Sequence, residues 1–107
     1  MKQDKILTLL GFCRKAGKLV VGTEKVMELA KSNKECLILL ASDISDKTEK
    51  EITYYANKGK AVVIRTPYDL KTLSHATATT AGIFATEDKG FCKAILQGGK
   101  EVYGDSI

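Results

Sequence analysis

A chain of 107 residues with 44% hydrophobic side chains can fill one core in one domain, and it has no apolar run approaching the ~20 residues of a membrane span. Seventeen Lys+Arg against 13 Asp+Glu give a net charge of +4 and a pI of about 9.0, a mild excess that suits a polyanionic partner without requiring one. Cys13, Cys36 and Cys92 are odd in number and far apart, and with a single histidine they support neither a disulfide framework nor a zinc site. They read as small core residues. The N-terminus MKQDKILTLLGF lacks the long apolar core and small-residue cleavage site of a secretory signal, so the expected compartment is the cytoplasm.

In chain order, Ile6, Leu9, Leu10 and Cys13 give an opening helix one apolar face, and Gly17 stops it. Residues 19–21 form a short strand ended by Gly22, after which Thr23 offers a hydroxyl cap to a helix carrying Val26, Leu29 and Ala30. Residues 36–41 are unbroken apolar, the pattern of a buried strand, and end in Ser42-Asp43. Ser45 then caps a helix with Ile52, Tyr55 and Ala56 inward, closed by Gly59. A strand at 61–64 follows. Pro67 opens a helix through Leu70 and Leu73, and the small residues 74–82 are expected to form a loop that is mobile when free. A fourth strand occupies 83–85. The last helix starts near Glu87 or Asp88, buries Phe91, Ala94 and Ile95, and gives way at Gly98-Gly99 to a loose tail. Strands alternating with helices imply an α/β fold: a three-layer α/β/α sandwich with about four strands in a mixed sheet, helices on both faces, and a single domain over 1–107.

Function is written less plainly. A helix N-terminus at Gly22-Thr23 presents unpaired backbone N–H groups that suit a phosphate, and Arg14, Lys15, Lys18 and Lys25 flank it in sequence. Lys89 and Lys93 lie on the final helix and are expected to face solvent. The class-distinct rival is a small enzyme using Asp43, which follows a buried strand, and His75, in a loop able to approach it. No phosphate-binding loop, dinucleotide fingerprint or nucleophile elbow accompanies that pair. A third reading is a protein-interaction adaptor with Tyr54-Tyr55 on its face, although the spacing of Tyr55 from Ile52 assigns it to the core.

Ala16-Gly17-Lys18-Leu19-Val20, Gly22 with Glu24, Leu39-Leu40-Ala41-Ser42-Asp43, and Asp88-Lys89-Gly90-Phe91 with Lys93-Ala94-Ile95-Leu96 follow one another in a characteristic order and spacing. Through them the chain, from Ile6 to Leu96, resembles the ribosomal-protein family of the L7Ae and L30e type, which binds kink-turn RNA, and within it the bacterial YlxQ-like branch. It implies RNA contacts from three elements: Gly22-Thr23-Glu24-Lys25 with the nearby Lys18, then Ser42-Asp43-Ile44-Ser45, then the loop Ser74-His75-Ala76-Thr77-Ala78. Glu24 and Lys25 stand where the kink-turn binders place Asn and Glu, and Glu28 where they often place Lys. Since a carboxylate accepts but cannot donate, base readout through Glu24 differs from theirs. The third element has Ser74 where its relatives have an early glycine. The resemblance thus implies a non-catalytic protein of structured RNA, ribosomal RNA foremost, with no cofactor, no metal, no membrane, and a monomeric free state.

Overall fold

Two strands buried on both faces set the layering of this chain. A computed structural model describes residues 4–103, with side chains described over 5–97. In β2 (Cys36–Leu40) every residue is buried, and neighbouring side chains face opposite ways. Leu37 and Leu39 join Ile6, Leu10, Leu73, Phe84 and Ile95 in one core; Cys36, Ile38 and Leu40 join Val26, Leu29, Ile52, Ile83 and Ala85 in the other. β4 (Ile83–Thr86) alternates in the same way. One sheet with a core on each face is a three-layer sandwich: α1 (Asp4–Lys15), α4 (Leu70–Thr77) and α5 (Lys89–Tyr103) cover one face, α2 (Thr23–Lys31) and α3 (Asp46–Lys58) the other.

The sheet order is β1-β4-β2-β3, with β1 (Val20–Val21) and β3 (Ala61–Arg65) at the edges. β4 runs antiparallel to β1, pairing Val21 with Phe84, and antiparallel to β2, pairing Leu39 with Phe84. β2 and β3 are parallel, with Leu39 opposite Ile64. The sheet is therefore mixed, as the alternation of elements implies.

Helix starts follow local chemistry. Ser45 caps α3, its Oγ accepting from the Thr48 N–H at 3.2 Å, and Asp88 accepts from the Phe91 N–H at 2.9 Å as α5 begins. Helix boundaries differ from the sequence reading at several points. Thr23 is the first residue of α2, and Gly22 occupies the cap position. α4 begins at Leu70, three residues beyond Pro67, because the Asp69 carboxylate caps it by accepting from the Thr72 N–H at 2.8 Å. The backbone of α5 stays helical to Tyr103, through Gly98 and Gly99, where the sequence reading places the start of a loose tail; the remainder of that expected tail, 104–107, lies outside the described residues. Among the described residues, no helix is long and apolar enough to cross a membrane.

Candidate nucleic-acid interface

The first two candidate elements meet at one end of the sheet. The Gly22 N–H donates to the Ile83 carbonyl at 3.0 Å and the Ala41 N–H to the Gly82 carbonyl at 2.8 Å, so the start of β4 is flanked by the N-terminus of α2 on one side and the β2–α3 connection on the other. Gly22 (φ 102°, ψ 153°) has no side chain to cap the helix, which leaves the first-turn N–H groups of α2 directed outward with the positive end of the helix dipole. Thr23, Glu24 and Lys25 are all exposed there. Lys18, also exposed, lies four residues before Gly22, within about 13 Å by the reach of an extended chain.

The second element is structural as well as exposed. Asp43 Oδ1 accepts from the Leu70 N–H at 2.8 Å and the Ser42 N–H donates to the Tyr68 carbonyl at 2.8 Å, which ties this loop to the start of α4. Ile44 is half-buried and touches both cores, while Ser45 is engaged as the α3 cap. Arg65 closes β3 and is paired with Glu49 of α3.

The third element is not a loop. Ser74, His75, Ala76 and Thr77 form the second half of α4, and only residues 78–82 connect it to β4. Thr77 is 1% exposed and turns its hydroxyl back to the Leu73 carbonyl at 2.8 Å, so its side chain is unavailable to a ligand. Ser74 Oγ donates to the Ala81 carbonyl at 3.0 Å and fastens the connection to the helix. The sequence concealed this because Ser, Thr and Ala at successive positions look like loop composition; here a Thr fills a buried helical position by returning its hydrogen bond to the preceding turn.

Of the residues named for the rival readings, Asp43 and His75 lie at opposite ends of α4, while Tyr54 and Tyr55 stand together on α3. Asp43 accepts at the first residue of α4, its carboxylate engaged in fixing its own loop, and His75 sits in the last turn of that helix, about 7.5 Å further along the axis. Tyr54 and Tyr55 meet edge to face at 5.1 Å, Lys58 lying over the first ring and Lys31 over the second. Tyr55 is half-buried against the α2–α3 core, near to the expectation of a core residue, and Tyr54 is exposed. Cys13 and Cys36 are buried and Cys92 half-buried; burial raises all three thiols, Cys36 to about 11, so they stay protonated at neutral pH. Among the described residues, no group of His, Cys, Asp and Glu is placed to hold a metal ion.

Arg14 and Lys15 are exposed in the last turn of α1. They turn toward α4 and line a groove of about 760 Å³ between α1 and α4, together with Phe12, Lys71, His75 and Ala76. Phe12 and Lys71 were not singled out by the sequence reading. A signal was present: Phe12 falls off the stripe of Ile6, Leu10 and Cys13 that α1 buries, and it is 56% exposed.

A three-layer sandwich in this strand order, with a helix N-terminus and a strand–helix loop exposed at one end of the sheet, defines a class of small α/β/α domains. Residues 4–95 match the model of the ribosomal protein L7Ae/L30e/S12e/Gadd45 family, and the chain belongs to that family. Comparison with curated proteins finds no match. Among solved structures, a protein of unknown function from Bacillus halodurans superposes with a TM-score of 0.80 at 23% identity, over 88% of this chain and 95% of that one. A 15.5kD RNA-binding protein from Giardia lamblia superposes with a TM-score of 0.69 at 14% identity, over 92% of this chain and 84% of that one. Both likenesses are of fold.

Proposed function

We propose that this chain is a non-catalytic, cytoplasmic RNA-binding protein of the YlxQ-like branch that recognises a structured, kink-turn-like RNA, ribosomal RNA foremost, and that it is monomeric when free. The observation that carries this reading is the convergence of the uncapped α2 N-terminus and the β2–α3 loop at one end of the sheet, in a chain of the L7Ae/L30e family. The likeness in fold to an RNA-binding protein supports it. Backbone N–H groups of the first α2 turn hold a phosphate, Lys25 and Lys18 add charge, and Glu24 accepts from exocyclic amino groups of exposed bases. Asp43 acts here through position, by fixing the β2–α3 loop against α4, so that Ile44 presents a constant surface. His75 and Ala76 extend the interface along α4.

The test is a titration against a kink-turn RNA with tandem G·A pairs and against an unkinked duplex of the same length, each at several salt concentrations. Binding that prefers the kinked RNA and weakens steeply with salt, at a slope corresponding to ~3 to 5 phosphates, is the expected result. Lys25→Ala should cost about 1 kcal/mol or more, as for a charge-assisted contact. Lys34→Ala, before β2 at the opposite end of the sheet, should cost much less. Equal losses at the two lysines, or binding indifferent to salt, would overturn the reading.

A further inference from the structure

Two large grooves among the described residues differ in charge. The groove between α5 and β3, about 720 Å³, is lined by Glu35 and Glu87 as well as Lys60, Lys89 and Lys93, so its two carboxylates offset most of the charge of its three lysines. The groove between α1 and α4 is lined, among the described residues, by Arg14, Lys15, Lys71 and His75 and by no carboxylate. Its volume lies within the roughly 300 to 1,000 Å³ typical of small-ligand sites. Its walls stand close because α1 carries glycine where the helices meet: a Cβ on Gly11 would lie 3.0 Å from the Ala76 carbonyl oxygen. At its rim Phe12 offers an aromatic ring that the core does not claim.

We propose that the α1–α4 groove is a subsite for unpaired nucleotides, in which a base stacks on Phe12 while Arg14, Lys15 and Lys71 hold the adjoining phosphates. Cations flanking an open aromatic ring are the recurring device for single-stranded nucleic acid, because every base has a π-face and every linkage a negative charge. Charge selects this occupant over an apolar or basic peptide. Continuity supports it too: His75 and Ala76 belong both to the groove and to the candidate interface, so a strand leaving a structured RNA bound at the end of the sheet has a short path into the groove. The proposal rests on the RNA-binding reading above and extends it from the folded part of the ligand to a single-stranded flank.

The chain contains no tryptophan, so Phe12→Trp places one indole in the groove as the sole such reporter. Octauridine should quench its emission saturably, and less at higher salt. In parallel, a kink-turn RNA carrying about six unpaired uridines at one 3′ end, then at the other, is compared with the same RNA with blunt ends. The overhang should raise affinity about tenfold at one of the two ends, as expected for one stacked base. Phe12→Ala should bring that ratio close to one, Phe12→Leu should leave it low despite its apolar bulk, and Lys71→Ala should reduce its salt dependence by about one phosphate. Because Phe12 is more than half exposed, these variants keep the core intact. No quenching together with an overhang ratio of one at both ends overturns the subsite while leaving the RNA-binding reading standing. Quenching by octauridine with no binding of the kink-turn RNA would overturn the target named above and leave the subsite in place. Quenching by an oligoglutamate peptide and not by octauridine would assign the groove to an acidic protein segment and overturn the proposal.

Discussion

α1 and α4 end in the same hydrogen-bonded turn, and one closes on glycine while the other closes on alanine. At the end of α1 the Lys18 N–H reaches the Cys13 carbonyl at 3.0 Å and the Gly17 N–H reaches the Arg14 carbonyl at 3.1 Å. At the end of α4 the Thr79 N–H reaches the Ser74 carbonyl at 3.0 Å and the Ala78 N–H reaches the His75 carbonyl at 3.4 Å. Both have the bonding pattern of a Schellman closure, and both place the closing residue in left-handed backbone, φ 72° at Gly17 and 55° at Ala78. Glycine enters that region freely, whereas alanine pays about 1 kcal/mol in contacts of its Cβ. What the alanine turn has in exchange is bracing: Thr77 and Thr79 hydroxyls meet at 2.8 Å, and Ser74 holds the Ala81 carbonyl. The lesson is that a strained turn persists where surrounding bonds over-determine it, here beside the candidate interface.

Exchanging the closing residues breaks this comparison most directly. Gly17→Ala should destabilise the protein by about 1 to 2 kcal/mol, read as a lower midpoint in urea at unchanged slope. A Cβ at Gly17 meets nothing within 4 Å, so the whole cost is conformational; an unchanged midpoint would show that the turn relaxes without penalty. The reverse change should carry the opposite sign and a smaller size. Ala78→Gly should raise stability by about 0.5 to 1 kcal/mol, the relief of strain being offset in part by the freer unfolded chain. A loss of stability instead would mean that the Ala78 methyl, which lines the α1–α4 groove, contributes more by packing than it costs by strain.

The smallest effect concerns the other end of α4. Hydrogen bonds from Thr72, with Lys71 nearby, hold the Asp69 carboxyl below its usual 3.8. A carboxylate depressed in the folded state stabilises above its unfolded pKa, and that contribution fades as pH falls through 3.8 and then through the lower folded value. The difference in thermal midpoint between wild type and Asp69→Asn should therefore narrow on acidification in that window. A pH-independent difference would mean that the charge of the cap is irrelevant to it.

The same contrast explains what was legible in the chain. Gly17 announces the end of α1, and the reading there differs from the structure only in where the last helical residue falls. Ala78 announces nothing, so the second half of α4 reads as a loop in sequence. β2 was readable because a strand buried on both faces is continuously apolar, and α3 because Ser45 stands one residue before it. Asp69 outcompeted Pro67 as the start of α4 because it supplies an acceptor for the orphan N–H groups, which proline cannot. Of the candidate site, the stretches 22–25 and 42–45 meet as two elements that the resemblance had marked, yet no periodicity could show that the start of β4 would hold them together. The groove was illegible for a related reason: it depends on the approach of Gly11 to α4, a contact across more than sixty residues of chain.

The position of β4 also sets the order in which the sheet can be completed. β1 and β2 are neighbours in sequence but not in space, and the strand that joins them comes last. During synthesis roughly forty residues separate the end of β2 from the arrival of β4, ~2 to 8 s at the usual rate of chain growth. Through that interval β2 can pair with β3 on one side and has a bare hydrogen-bonding edge on the other. That edge, CLILL, is the longest wholly apolar strand among the described residues and a template for pairing with another nascent copy. The interval between its emergence and the emergence of IFAT is therefore when this protein most needs protection from itself.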